Sequence, residues 1–132
     1  MNVFFDHNLS PAMARALREL FRDRHHVTWL GERFRRTATD LEWIQQLSAE
    51  DRWIVISGDR RITRNRAEYG AFQNSRLVGF FLSRGLLKAT VIKQLERILA
   101  HWEGIETLAG NVSGGAVFEL PMTTTRIRQL KL

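Results

Sequence analysis

Short apolar segments alternate with amphipathic helices along most of the chain, and this alternation constrains the fold more than any other feature. Segments of three to six residues that read as buried strands lie at residues 2–5, 27–29, 53–57, 77–82 and 116–120. Strands that alternate with helices predict a mainly parallel sheet covered by helices on both faces. We therefore expect an α/β fold, a three-layer α/β/α sandwich with a central sheet of about five strands.

Helix signals separate these strands. Ser10 followed by Pro11 is typical of a helix start, because Ser caps free backbone amides and Pro suits the first turn. A second helix is predicted from about Asp40 to Glu50, and the clearest amphipathic helix covers residues 89–102. Residues 126–132 alternate apolar and basic side chains, which is compatible with an edge strand or with a loose arm.

Length and composition indicate a single globular domain without disulfides. The chain has 132 residues and no cysteine, which excludes zinc–thiolate sites and cysteine nucleophiles. We expect one domain over residues 1–122 and a basic C-terminal tail over residues 123–132. Residues 1–6 contain no signal-peptide core, and no apolar run approaches the ~18 residues of a spanning helix. We therefore expect a cytoplasmic protein without a membrane partner.

The positive charge of the chain comes almost entirely from arginine. The net charge is +6, and 17 of the 20 basic residues are Arg. A GC-rich genome favours Arg over Lys but does not explain the net charge. Arg presents a planar fork of donors that matches phosphate oxygens, so the composition predicts a polyanionic partner such as nucleic acid.

Two predicted strands end in an aspartate. Asp6 directly follows the first strand, and Asp59 follows the third strand after Gly58. The carboxyl ends of parallel strands meet at one edge of a sheet, where ligand sites of α/β folds form. Two carboxylates at this edge repel each other unless a cation lies between them, and oxygen ligands suit Mg²⁺ or Mn²⁺. The pair therefore predicts a divalent-metal site.

Asp40 is a third candidate ligand, and two interpretations of it stay open. It opens a helix after Thr37-Ala38-Thr39, so capping explains it, with Thr37 as the N-cap or with Asp40 favoured by the helix dipole. Alternatively, this helix end faces the strand ends, and Asp40 then joins Asp6 and Asp59.

Residues near these aspartates are candidates for supporting roles. Asn8 is placed to hydrogen-bond a metal-bound water, and Glu68 is a candidate fourth ligand. Arginines crowd the segments before Asp40 and after Asp59, where they form either a solvated basic surface or a phosphate-binding rim. The loop before Asp40 also carries Arg33, and we expect both arginine clusters to converge at the same edge of the sheet as the carboxylates. The predicted RNA phosphate contacts are Arg35, Arg36, Arg60, Arg61 and Arg64. Three aromatic side chains pack in the core or stack on bases: Trp29, Trp43 and Tyr69.

Three segments resemble the PIN-like domain family. Residues 3–11, Val-Phe-Phe-Asp-His-Asn-Leu-Ser-Pro, are similar to the opening of these domains. Residues 39–44 place an acid at the start of a helix, and residues 53–59 place an acid after a strand, as the family does. The resemblance is strongest to the ribonuclease toxins of bacterial VapBC toxin–antitoxin pairs.

This resemblance implies a Mg²⁺- or Mn²⁺-dependent endoribonuclease, a hydrolase that cuts RNA phosphodiester bonds and is neutralised by a small antitoxin protein. Asp6, Asp40 and Asp59 would be its metal ligands and catalytic residues, and such toxins often form homodimers. The chain departs from related sequences at Arg61, where they often carry a further acid.

Two other functions stay open. One is a catalytically inactive PIN-like module that binds RNA or protein. The other is a receiver-like domain that accepts a phosphoryl group on Asp59, although receivers carry two adjacent acids after the first strand and a Lys after the last.

Overall fold

The computed structural model describes residues 1–59 and 61–131, except for the side chain of Arg61. These residues form six strands and seven α-helices. The strands are β1 (Asn2–Phe5), β2 (His26–Trp29), β3 (Trp53–Ser57), β4 (Val78–Leu82), β5 (Val117–Leu120) and β6 (Arg128–Leu130). The helices are α1 (Pro11–Leu20), α2 (Asp40–Glu50), α3 (Arg61–Arg64), α4 (Arg66–Gln73), α5 (Arg84–Leu87), α6 (Val91–Ala100) and α7 (Trp102–Asn111). Within the described residues, no helix has the length and apolar character needed to cross a membrane.

All six strands form one sheet in the order β2-β1-β3-β4-β5-β6. The first five strands of this order are parallel, and β6 pairs antiparallel with β5. The predicted α/β/α fold with a mainly parallel sheet is therefore confirmed. After β1 the chain moves to one side of the sheet, and from β3 onward it moves to the other. This reversal opens a crevice beyond the carboxyl ends of β1 and β3.

The sheet separates two apolar cores, because successive side chains of a strand point to opposite faces. Val3 and Phe5 of β1 face a core shared with α1, α5, α6 and α7. Phe4, between them, faces a second core shared with α2, α3 and α4. Strands β1, β3 and β4 are thus buried on both faces, which explains why they are continuous apolar runs rather than alternating ones.

Local capping determines the starts of the two helices nearest the crevice. The Ser10 hydroxyl accepts from the Ala12 amide at 3.2 Å, and Pro11 occupies the first position of α1 as predicted. The N-cap of α2 is Thr39, whose hydroxyl accepts from the Glu42 amide at 3.2 Å. The expectation that Thr37 caps this helix is therefore wrong, and Asp40 is the first helical residue.

The C-terminal third differs most from the sequence prediction. Residues 89–102 do not form one helix: α6 starts at Val91 and ends at Ala100, His101 is its C-cap, and α7 starts at Trp102. The apolar stripe of α6 faces the core only in part: Ile92 is 80% exposed, while Gln94 is buried. Of the two alternatives for residues 126–132, residues 128–130 form the edge strand β6.

Candidate functional site

The carboxyl ends of β1 and β3 hold two aspartates side by side. Phe5 pairs with Ile56 in the parallel register, and the Asp6 amide extends the ladder by donating to the Ile56 carbonyl at 3.0 Å. The Asp6 side chain is fully buried, and Asp59 is 7% exposed. The predicted juxtaposition of these strand-end aspartates follows from the sheet order, in which β1 and β3 are neighbours.

Ser57 connects the two aspartates and is the site residue that the sequence analysis missed. Its hydroxyl donates to Oδ2 of Asp6 at 2.9 Å and accepts from the Asp59 amide at 3.0 Å. Ser57 is itself fully buried. A hydroxyl residue at the end of an otherwise apolar strand, two positions before an Asp, is the signal that could have pointed to it.

The residues after β1 complete the hydrogen bonds of this edge. Oδ1 of Asp6 accepts from the His7 amide at 2.7 Å and lies 2.8 Å from Nδ1 of His7. Oδ1 of Asn8 accepts from the Gly58 amide at 3.1 Å. Asn8 therefore braces the turn between Ser57 and Asp59, and its predicted bond to a metal-bound water stays a prediction.

Asp40 reaches the same edge from the start of α2. The Trp43 indole nitrogen donates to Oδ1 of Asp40 at 2.9 Å and orients its carboxylate. Burial raises the pKa of Asp40 above its ordinary value, and the negative charges of Asp6 and Asp59 raise it further, against the lowering effects of Trp43 and His7. The structure thus places Asp40 close enough to Asp6 and to Asp59 for their charges to act on it.

The three carboxylates have the donor chemistry of a Mg²⁺ or Mn²⁺ site but do not form a closed cage. Among the described residues, no group of three or more His, Asp or Glu side chains is placed to hold an ion. In this arrangement both oxygens of Asp6 accept hydrogen bonds, from Ser57 and His7. Mg²⁺ usually binds one or two carboxylates and completes its shell with water and substrate phosphate. The residues therefore fit a hydrated ion rather than one enclosed by protein.

Comparison with known proteins identifies the family. A family model described as a PIN-like domain matches residues 1–84, which include all three carboxylates and every element from β1 to β4. The chain belongs to the PIN-like domain family. Comparison with curated proteins and with solved structures finds no significant match. Family membership favours a nuclease over the receiver-like alternative.

The arginines around the PIN-like site do not all lie where the sequence predicts. Arg35 and Arg36 are exposed in the loop before α2, and Arg64 is exposed on α3. Arg60 and the side chain of Arg61 lie outside the part of the chain that the structure describes. For these five residues, phosphate binding stays a prediction.

Arg33 is a clear exception, because it lies at the far end of α2 from Asp40. Its guanidinium donates to Glu50 at 2.9 Å and lies 5.4 Å from the centre of the Trp53 ring. The hydrogen bond from Arg33 is the main reason that the pKa of Glu50 lies below its ordinary value. The expectation that the whole arginine cluster of this loop converges on the carboxylates is therefore wrong for Arg33.

Three further candidate site residues of this PIN-like domain are Glu68, Trp43 and Trp29. Glu68 is in the first turn of α4, where its amide donates to Oδ1 of Asn65 at 3.1 Å, and its role as a fourth ligand stays a prediction. Trp43 is completely buried and packs 5.2 Å from the Phe4 ring, so it is a core residue and does not stack on bases. The Trp29 indole donates to the Leu9 carbonyl at 3.0 Å.

Proposed function

We propose that this PIN-like domain is a divalent-metal-dependent endoribonuclease that hydrolyses RNA phosphodiester bonds. The observation that carries the proposal is the placement of Asp6 and Asp59 at the ends of two neighbouring strands, bridged by Ser57, with Asp40 at the start of α2 close enough for their charges to raise its pKa. Two buried acids with a third, partly buried acid nearby repel one another unless a cation neutralises them, and oxygen-only donors select Mg²⁺ or Mn²⁺. The exposed arginines nearby supply the positive charge that a polyanionic substrate needs.

In the proposed reaction, some residues of the site would hold the metal ion and others position those ligands. When bound, Mg²⁺ or Mn²⁺ supplies an activated water and stabilises charge on the scissile phosphate. Asp6, Asp40 and Asp59 are the residues that would hold it. Ser57 keeps Asp6 and the Asp59 backbone in fixed relation, and Trp43 orients Asp40. These bonds preorganise the site, so that little rearrangement is needed when the reaction begins.

We further propose that the protein is the toxin of a type II toxin–antitoxin pair, with RNA as substrate and a small cognate antitoxin as partner. The resemblance to VapBC toxins and the basic composition support this role, and a homodimer is the expected assembly. The test is inducible expression in a bacterial host. Growth should stop with the wild-type protein and continue with Asp6→Asn, and a small open reading frame adjacent to the gene should restore growth when co-expressed.

A catalytically inactive PIN-like module is the second candidate. Arg61 stands where related sequences often carry an acid, and the described residues contain no closed group of three ligands. Such a module would bind RNA or a protein partner without cleaving RNA.

The deciding experiment follows cleavage of a 5′-labelled single-stranded RNA with added Mn²⁺, with Mg²⁺ and with EDTA. The wild-type protein should cleave with either ion and not with EDTA. Asp6→Asn should reduce the rate by more than the roughly 10- to 100-fold typical of residues outside the metal shell. Asp23→Asn, an exposed aspartate in the turn after α1, is the matched control and should cleave normally. RNA binding without cleavage under all conditions would favour the inactive module.

A further inference from the structure

The short helix α5 forms one wall of the aspartate site. A Cβ atom built on Gly58 would lie only 2.3 Å from Cδ1 of Leu87, so Leu87 packs directly against the Gly58 turn. Gln94 of α6 anchors the end of α5 by donating to the carbonyls of Leu86 and Leu87, at 3.3 and 3.0 Å. The position of α5 beside the carboxyl end of β3 is therefore determined by packing and by hydrogen bonds.

The segment between β5 and β6, residues 121–127, continues this wall. A Cβ atom on Gly85 would lie 3.4 Å from Sδ of Met122, which places the segment against α5. The guanidinium of Arg97 donates to the Thr124 carbonyl, and β6 returns along β5. The segment is thus held beyond the carboxyl ends of β4 and β5, at the same edge of the sheet as the three carboxylates.

Exposed basic side chains lie along the wall formed by α5 and residues 121–127. Arg84 and Lys88 lie at the two ends of α5, and Arg126 lies in the segment after β5. A groove of about 640 Å³ borders the segment and is lined in part by Thr124, Arg126 and Arg128. Arg128 also lies 3.2 Å from Glu119, so the acid in this groove has a cation beside it. From β3 to β6 the edge covers three strand spacings, roughly 14 Å.

The opposite side of the site has a different character. Beyond β2, Arg18 forms an ion pair with Glu32, which also accepts from the Trp29 amide at 2.8 Å. The Trp29 ring covers Gly31 so closely that a Cβ atom there would lie 1.9 Å from it. Arg18 is thus neutralised by Glu32 on this side, where Arg35 and Arg36 in the loop before α2 are the exposed arginines. On the α5 side, Arg84, Lys88 and Arg126 are exposed along one continuous wall.

We propose that single-stranded RNA extends from the aspartate site across the ends of β4, β5 and β6, with its phosphates bound by Arg84, Lys88 and Arg126. This inference rests on the ribonuclease function proposed above and adds the direction in which the substrate leaves the site. A row of basic side chains along one edge of the protein binds the phosphates of single-stranded RNA and does not depend on the base sequence.

The test measures binding of a fluorescein-labelled single-stranded RNA of about 15 nucleotides by anisotropy, in EDTA so that no cleavage occurs. The variant R84A/R126A removes two cations of the proposed path. The matched control R22A/R24A removes two exposed arginines between α1 and β2, at the amino ends of the parallel strands and therefore at the end of the sheet away from the site. Circular dichroism verifies that both variants are folded.

We expect R84A/R126A to weaken binding at least about fivefold at low salt and to reduce the slope of log K against log salt concentration by about 1.4, or 0.7 for each lost phosphate contact. R22A/R24A should match the wild type within about twofold. If both variants bind like the wild type, the path is wrong and the proposed function is unaffected. If the wild type itself binds no RNA, both the path and the proposed function are wrong.

Discussion

The hydroxyl of Ser57 donates a hydrogen bond to the buried carboxylate of Asp6 over 2.9 Å. The same oxygen accepts from the Asp59 amide, so one small side chain holds the ends of two neighbouring strands in register. A polar bridge of this kind is energetically important because each buried partner loses its hydrogen bond when the bridge is removed. Ser57 is therefore a positioning residue for the candidate metal ligands.

Replacing Ser57 by alanine should impair both stability and metal binding. We expect Ser57→Ala to lower the free energy of unfolding by about 1–3 kcal/mol, because two buried groups lose their partner. Mn²⁺ affinity should fall about tenfold, as is usual when residues that orient metal ligands are removed. Urea denaturation and calorimetric Mn²⁺ titration measure the two effects.

Ser75→Ala is the matched control for this prediction. The Ser75 hydroxyl donates to the Phe72 carbonyl at 2.6 Å and accepts from the Leu77 amide at 3.1 Å, so it makes the same type of bridge before β4. Its removal should cost stability and leave Mn²⁺ affinity unchanged. Equal Mn²⁺ affinities of the two variants would contradict a positioning role for Ser57.

Replacing Trp43 by phenylalanine should raise the pKa of Asp40 further. The substitution keeps an aromatic ring against Phe4 but removes the indole hydrogen bond that favours the ionised carboxylate. A carbon-detected NMR titration of the metal-free protein measures this pKa. Trp53→Phe is the control, because the buried Trp53 indole nitrogen has no hydrogen-bond partner among the described residues. An unchanged pKa in Trp43→Phe would show that the indole does not hold Asp40.

Adding a methyl group at Gly58 should destabilise the site through α5. The new Cβ would overlap Leu87, and overpacking of this kind costs about 1–3 kcal/mol. Leu87→Ala in the Gly58→Ala background should recover part of the loss, because shortening Leu87 removes the overlap. Gly70→Ala in α4 is the control: nothing lies within 4 Å of its added Cβ, so it should leave stability unchanged or increase it. If the losses of unfolding free energy from Gly58→Ala and Leu87→Ala simply add in the double variant, direct packing of Leu87 against residue 58 is contradicted.

The protein should lose stability as the pH falls below about 6.5. Burial is the main cause that lowers the pKa of both His25 and His101 below 6.5. Between the lowered pKa and 6.5, the unfolded chain binds more protons than the folded one, so this stability is complete above 6.5 and declines below it. Each histidine contributes a slope of at most about 1.4 kcal/mol per pH unit. Urea denaturation at a series of pH values should show the decline in the wild type and a weaker one in H25N/H101N.

Local sequence signals were sufficient to predict most of the elements around the site. Strands β1 and β3 are apolar runs bounded by polar residues, and the Ser10-Pro11 pair defines the start of α1 within the chain itself. The positions of Asp6 and Asp59 at strand ends follow from the same signals. These features were predictable because strand and helix boundaries depend mainly on residues close together in the chain.

Only the tertiary structure decided which side chains meet. Ser57 bridges two aspartates because β1 and β3 are neighbours in the sheet, and Arg33 lies away from the site because Glu50 binds it at the other end of α2. Likewise, residues 128–130 form β6 because they pair with the free edge of β5. The helix α5 borders the site because Leu87 packs against Gly58. Such contacts join residues far apart in the chain, and their energies depend on which elements pack together, which no local pattern specifies.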